Sequence, residues 1–192
     1  MANEITKLLP FRQYDDNDVV NMFAMEGTNK GAGTLVKVSA ANLNDDLIDL
    51  VDGGSAFLTS QGNAYSPLSV NPLRVDAAGS GDSALGILLR DVRDTDENGE
   101  KLRFYPEKKE ELQCVLSGES VPVASKGIFT FTEEAFTGAK VPAVGVDVYG
   151  HAAGKLGIAG GNAVKVGQVL ATGTRAAGDT HAGDYAIVNV NL

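Results

Sequence analysis

The run Asp94-Thr95-Asp96-Glu97-Asn98-Gly99 is where this sequence most invites chemistry, because it reproduces the first half of an EF-hand calcium loop. Oxygens at alternate positions can surround an ion, and a glycine permits the sharp turn that gathers them. The second half of the pattern fails: the position that should carry the bidentate glutamate is Tyr105, and the flanking segments alternate as strands do. A weak cation site at Asp94, Asp96 and Asn98 stays open as the functional alternative. The stronger expectation is a hairpin turn, since Asn98-Gly99 accepts the positive φ angles of a tight connection between Leu88–Arg93 and Glu100–Phe104.

Other reactive groups are sparse. The chain has two histidines, His151 and His181, and a single cysteine, Cys114, none within a turn of another, which leaves no ligand set for zinc. Cys114 lies in the apolar run Leu112-Gln113-Cys114-Val115-Leu116, where a thiol is expected to be buried and inert. Both histidines fall in Gly/Ala-rich stretches and there is no Gly-x-Ser-x-Gly elbow, so a hydrolytic triad is not expected. The clusters Gly79-Ser80-Gly81 and Gly157-Ile158-Ala159-Gly160-Gly161 lack the following helix that a phosphate-binding loop requires, and are read as turns. The segment Gly161 to Ala171 is similar to the second half of a biotinyl or lipoyl carrier domain. Its nearest candidate for modification, Lys126, lacks the Met-Lys-Met or Asp-Lys-Ala setting of those carriers, so only a strand pattern is taken to be shared. An enzyme acting through Asp94 and Asp96 is kept as an alternative, and no cofactor is called for.

These groups must be positioned by a chain of 192 residues, long enough for one domain that buries roughly 70% of its unfolded surface. One cysteine permits no internal disulfide, which suits assembly in a reducing cytoplasm. The start, Met1-Ala2-Asn3-Glu4-Ile5, has neither the basic nor the apolar part of a signal peptide, and no apolar stretch approaches the ~20 residues of a membrane span. With a formal charge of −9 and scattered basic residues, neither nucleic acid nor membrane is an expected partner. The run Glu107-Lys108-Lys109-Glu110-Glu111 has mixed signs and is read as a solvated turn or face.

Twenty-three glycines and short apolar runs punctuated by Gly, Asn, Asp and Pro predict an all-β fold, a mainly antiparallel barrel or sandwich. Strands are expected at 34–39, 56–60, 85–92, 101–105, 112–117, 127–132, 144–149, 164–171 and 184–192. The last is clearest: Ala186, Val188, Val190 and Leu192 form an apolar face opposite Tyr185, Ile187, Asn189 and Asn191. Leu43, Leu47, Ile48, Leu50 and Val51 recur at helical spacing before Gly53-Gly54, which predicts one short helix near residues 42–52. A Val-Lys-Val core recurs at 36–38 and 164–166, compatible with two lobes, about 15–83 and 84–192, behind an N-terminal arm at 1–14.

Leu85-Gly86-Ile87-Leu88-Leu89-Arg90-Asp91-Val92, the turn Glu97-Asn98-Gly99-Glu100 and the stretch Val115 to Phe129 together resemble head decoration, or cement, proteins of tailed bacteriophages. Val146-Asp147-Val148-Tyr149, Gly154-Lys155 and Val166-Gly167-Gln168-Val169-Leu170 continue the likeness, which covers roughly residues 84 to 192. It implies a small β protein that joins the outer surface of the capsid after expansion, commonly as a homotrimer, with the major capsid protein as partner. Such a protein is made in the bacterial host's cytoplasm and ends on the virion exterior. The arm carries an apolar cluster, Ile5, Leu8, Leu9 and Phe11, that can fold back on its own core or reach a capsid or neighbouring copy through main-chain hydrogen bonds. A fibre or knob with a host-attachment role is the structural alternative.

Overall fold

The computed structural model describes residues 7–25, 30–41, 73–158, 164–178 and 182–192. Its described residues are all-β with one short helix, the strands arranged mainly in antiparallel sheets. Among the described residues the strands are β1 (Leu8–Gln13), β2 (Val19–Val20), β3 (Ala24–Met25), β4 (Leu35–Ala41), β5 (Leu73–Ala77), β6 (Gly86–Leu88), β7 (Asp91–Val92), β8 (Cys114–Val115), β9 (Val123–Ala124), β10 (Lys126–Thr132), β11 (Asp147–His151), β12 (Lys155–Gly157), β13 (Lys165–Arg175) and β14 (Gly183–Asn191). The first sheet runs β1-β10-β14-β13-β11-β12, the second β2-β9-β6-β4-β5-β3, and β7 pairs with β8 in a small third sheet. The six-stranded sheets are open, with β1 and β12 as the edges of the first, so the arrangement is a layered sandwich without barrel closure.

Alternation explains the layers. On β14, Ala186, Val188 and Val190 are fully buried while Asn189 and Asn191 are exposed, the period of two expected of a strand with one wet face. The buried side meets Phe129, Phe131 and Phe136, and Leu35, Ile87 and Ala124 of the second sheet join the same cluster. The next residues along those strands, Val36, Leu88 and Val123, point the other way into a second core with Phe23, Met25, Val75, Val92, Val115 and Val121. The second sheet is therefore a middle layer buried on both sides at Leu35-Val36, Ile87-Leu88 and Val123-Ala124, which is why these neighbours are apolar in succession.

Val123 to Thr132 is nearly continuous extended chain that leaves the second sheet after Ala124 and enters the first at Lys126. Ser125 is the corner, its N–H donating to Asp18 O at 2.9 Å and its carbonyl accepting from Leu192 N at 3.2 Å. Gly127 follows with φ at 144°, and a Cβ there would come within 2.8 Å of Gln13 O and of Tyr14 Cβ, so a side chain cannot take this bend.

One expectation is corrected. The segment 101–105 is a single bridge, Thr95 to Lys101, followed by a 3-10 turn at Leu102–Phe104, because the chain turns directly into helix α1 (Pro106–Glu111). The charge run read as a solvated turn or face lies on that helix, which has no buried residue; Pro106 at its first turn lacks only an N–H that no helical carbonyl would accept there. The helix expected at 42–52 and the strand expected at 56–60 lie outside the described residues.

Candidate functional site

The groups singled out for chemistry turn out to be committed to the fold. Asp96 Oδ1 accepts the N–H groups of Asn98 and Glu100, both at 2.8 Å, and Oδ2 takes the Lys108 ammonium from α1. The Lys108 hydrogen bond, against the opposing effect of burial and with help from the Glu100 and Asn98 amides, holds this carboxyl below its ordinary range. Asp94 Oδ1 accepts from Ser117 N at 3.1 Å. Oxygens spent inward on amides and an ammonium cannot also encircle a cation, and the run is a structural turn.

Cys114 is buried, its Sγ 3.6 Å from Lys109 O, and desolvation pushes its thiol upward, away from the thiolate a nucleophile needs. Lys126 begins β10 opposite Asn191 inside a sheet, so it is not displayed on a hairpin tip as a carrier lysine would be. The amide of Gly79, in the first glycine cluster, donates to Asp82 Oδ2 at 2.6 Å, and the same carboxylate pairs with Lys37 at 2.9 Å. That turn carries its own anion. His151 ends β11 with Nδ1 accepting from Ala152 N at 2.9 Å, and His181 lies outside the described residues.

Of the predicted contact residues, Leu8 and Leu9 are 2% and 1% exposed, placed by β1 pairing along β10, whereas Phe11 is 58% exposed. The arm thus forms an edge strand of the first sheet with two leucines inward and one phenylalanine outward; Ile5 lies outside the described residues.

What remains available is the outer face of the first sheet. Cross-strand partners share a face, so Ile128, Asn189, Gln168 and Asp147 form one row across β10, β14, β13 and β11. Thr130, Ile187 and Ala171 form the next, and Thr132, Tyr185 and Gly173 a third, with both β10 threonines buried. Alternation puts Leu170 outward with Gln168, at 44% exposure, and a bulge between Val169 and Ala171 brings Ala171 to the same face opposite Ile187. The turn holding Val144, 58% exposed, is bonded to the same stretch of β13 through Gly145 N to Val169 O at 2.9 Å. At the far end the Arg175 guanidinium lies 5.9 Å from the Tyr185 ring centre. The face mixes aliphatic side chains with amides, and alternation along β14 had marked it in the sequence. The bulge, which adds Ala171 to it, had no sequence signal.

Comparison of the chain with protein-family models, with curated proteins and with solved structures returned no match.

Proposed function

We propose that this chain is a non-catalytic virion protein that binds the outer surface of a tailed-bacteriophage capsid and stabilises the mature head, with the major capsid protein and further copies of itself, as a homotrimer, for partners. One observation carries the reading: the first sheet spends one face on the core and leaves the middle of the other exposed, with Leu170 and the half-buried Ile187 and Ile128 set beside Asn189 and Gln168. A surface of that composition is suited to association by contact area. The phage resemblance over residues 84 to 192 supplies the kind of partner. The charge of −9 supports an exterior position away from packaged nucleic acid. No helix among the described residues is long and apolar enough to cross a membrane. Binding the expanded shell and not its precursor would stabilise it by linkage, many modest contacts adding over a particle.

The test mixes the protein with undecorated expanded heads and measures occupancy and heat resistance. Wild type raises the rupture temperature, and the pair Phe11→Asp with Leu170→Asp removes binding while the circular dichroism spectrum stays unchanged. Full occupancy by that variant, or no binding by wild type, sinks the proposal. Deleting residues 1–12 is a poor test, since it strips Leu8 and Leu9 from the interior.

A knob with an attachment role draws support from a different place. Phe104 and Tyr105 are exposed beside Arg103, whose guanidinium lies 5.4 Å from the Phe104 ring centre, a grouping typical of binding hot spots. Electron microscopy of particles separates the two, by even coverage of the shell or isolated projections.

A further inference from the structure

At the β12 edge of the first sheet, a cleft of about 230 Å³ is lined by Thr137, Lys140, Pro142, His151, Gly157 and Ile158. The chain carries 25 acidic and 16 basic residues, yet among the described residues the lining holds a lysine and a histidine and no carboxylate. Neither donor is used: Lys140 and the imidazole Nε2 have no hydrogen-bond or ion-pair partner among the described residues. The imidazole is oriented by its other nitrogen. With Nδ1 accepting the Ala152 N–H at 2.9 Å, Nε2 is the ring nitrogen left to donate. The Cδ2 edge, next to Nε2, lies over Gly157, where an added Cβ would come within 3.2 Å of it, so the missing side chain leaves the floor of the cleft open beside the N–H. Thr137 Oγ1 is turned away by donating to Leu156 O at 3.3 Å. Next to Lys140 and two residues after His151 the chain holds an alanine in the left-handed region, Ala139 with φ at 49° and Ala153 with φ at 59°, conformations that L residues avoid.

We propose that this cleft binds a carboxylate, with Lys140 supplying the opposite charge and His151 Nε2–H a directed hydrogen bond. One ammonium and one imidazole N–H are two donors, enough for the two oxygens of a carboxylate and too few for the oxygens of a phosphate. Pro142 and Ile158 offer apolar wall to an aliphatic stem. The inference is independent of whether the outer face meets a shell.

The probes are acetate, butyrate and inorganic phosphate, titrated into the full chain while the His151 ring and Gly157 amide signals are followed by NMR. Saturable shifts with a Kd of about 1–10 mM are expected for acetate. Butyrate should bind about fourfold tighter for each methylene it buries, and phosphate more weakly than acetate. Lys140→Ala and His151→Gln each weaken acetate by about tenfold with the remaining spectrum unchanged, and Gly157→Ala weakens it while keeping both donors. A response absent up to about 0.1 M, far above a millimolar Kd, overturns the proposal, as does phosphate binding tighter than acetate or indifference to both donor variants. Sedimentation with and without acetate assigns the source: acetate-sensitive self-association means that a second copy supplies the acid, and unchanged mass with retained shifts means a free carboxylate.

Discussion

The first sheet and the segment from Asp91 to Val121 are held together by opposite means. The sheet closes over Phe129, Phe131 and Phe136, whose rings meet at centre distances of 6.3 Å, with strand ladders on either side. The segment has β strands of two residues, a short helix and a chain of polar ties: Asp96 to Lys108, Lys109 to Glu119 at 2.6 Å, Glu119 to Leu116 N at 2.9 Å, Asp94 to Ser117 N. Apolar burial is non-directional and additive, whereas each polar tie depends on one geometry and one protonation state. Hydrophobic packing therefore governs the sheet, while the segment adds ties sensitive to pH and salt to the packing of Val92, Val115 and Val121.

The largest test of that contrast is Phe131→Ala, which removes a ring from the shared core. It should cost about 3–5 kcal/mol in urea denaturation, and a loss under 1 kcal/mol would mean that the core is not where stability resides. Glu119→Gln comes next at about 2 kcal/mol, because the Lys109 ammonium and the Leu116 amide lose a charged acceptor while half-buried. Its cost should shrink in high salt, unlike that of Phe131→Ala.

Acid separates the two regions by sign. The Asp96 carboxyl is lowered from an ordinary 3.8, so its contribution is fully present above that value and is lost as pH falls through the still lower folded value. Lys108 is raised from 10.5, chiefly by the same hydrogen bond, so its contribution is complete below that value and fades at higher pH. Hydrogen-exchange protection of the Asn98 and Glu100 amides should collapse below pH 3.8 while the Phe129 and Val188 amides hold; simultaneous loss would show one cooperative unit instead. The smallest effect is a gain. Thr130, 4% exposed, has a hydroxyl with no hydrogen-bond partner, and Thr130→Val should stabilise by about 1 kcal/mol in the same urea assay.

What the sequence made legible follows from burial on one side or two. β14 and β13 alternate because one face is wet, while β10 alternates in residue type alone, with Phe129, Thr130, Phe131 and Thr132 all buried, and the three fall close to where alternation puts them. In the middle layer Ile87 and Leu88 both point into cores, so period two vanishes, and 85–92 reads as one long strand where the chain makes two short ones. Helix α1 escaped notice because its residues, Pro106 to Glu111, have no buried member and so no apolar stripe. The arm offered Leu8, Leu9 and Phe11 without saying which way each faced, and only pairing with β10 sorts them. The cleft was illegible, since Thr137, Lys140, His151 and Gly157 meet through folding across a loop and a hairpin.

The corner at Ser125 has a mechanical consequence. The same run of backbone is bonded laterally in the second sheet on one side of the corner and in the first on the other, so tension that tries to slide one layer past the other is carried along the strand axis. Strands loaded lengthwise must break many hydrogen bonds at once, while strands pulled from an edge release them one by one. Force applied parallel to the layers should therefore meet far more resistance than force that lifts β1 from its edge.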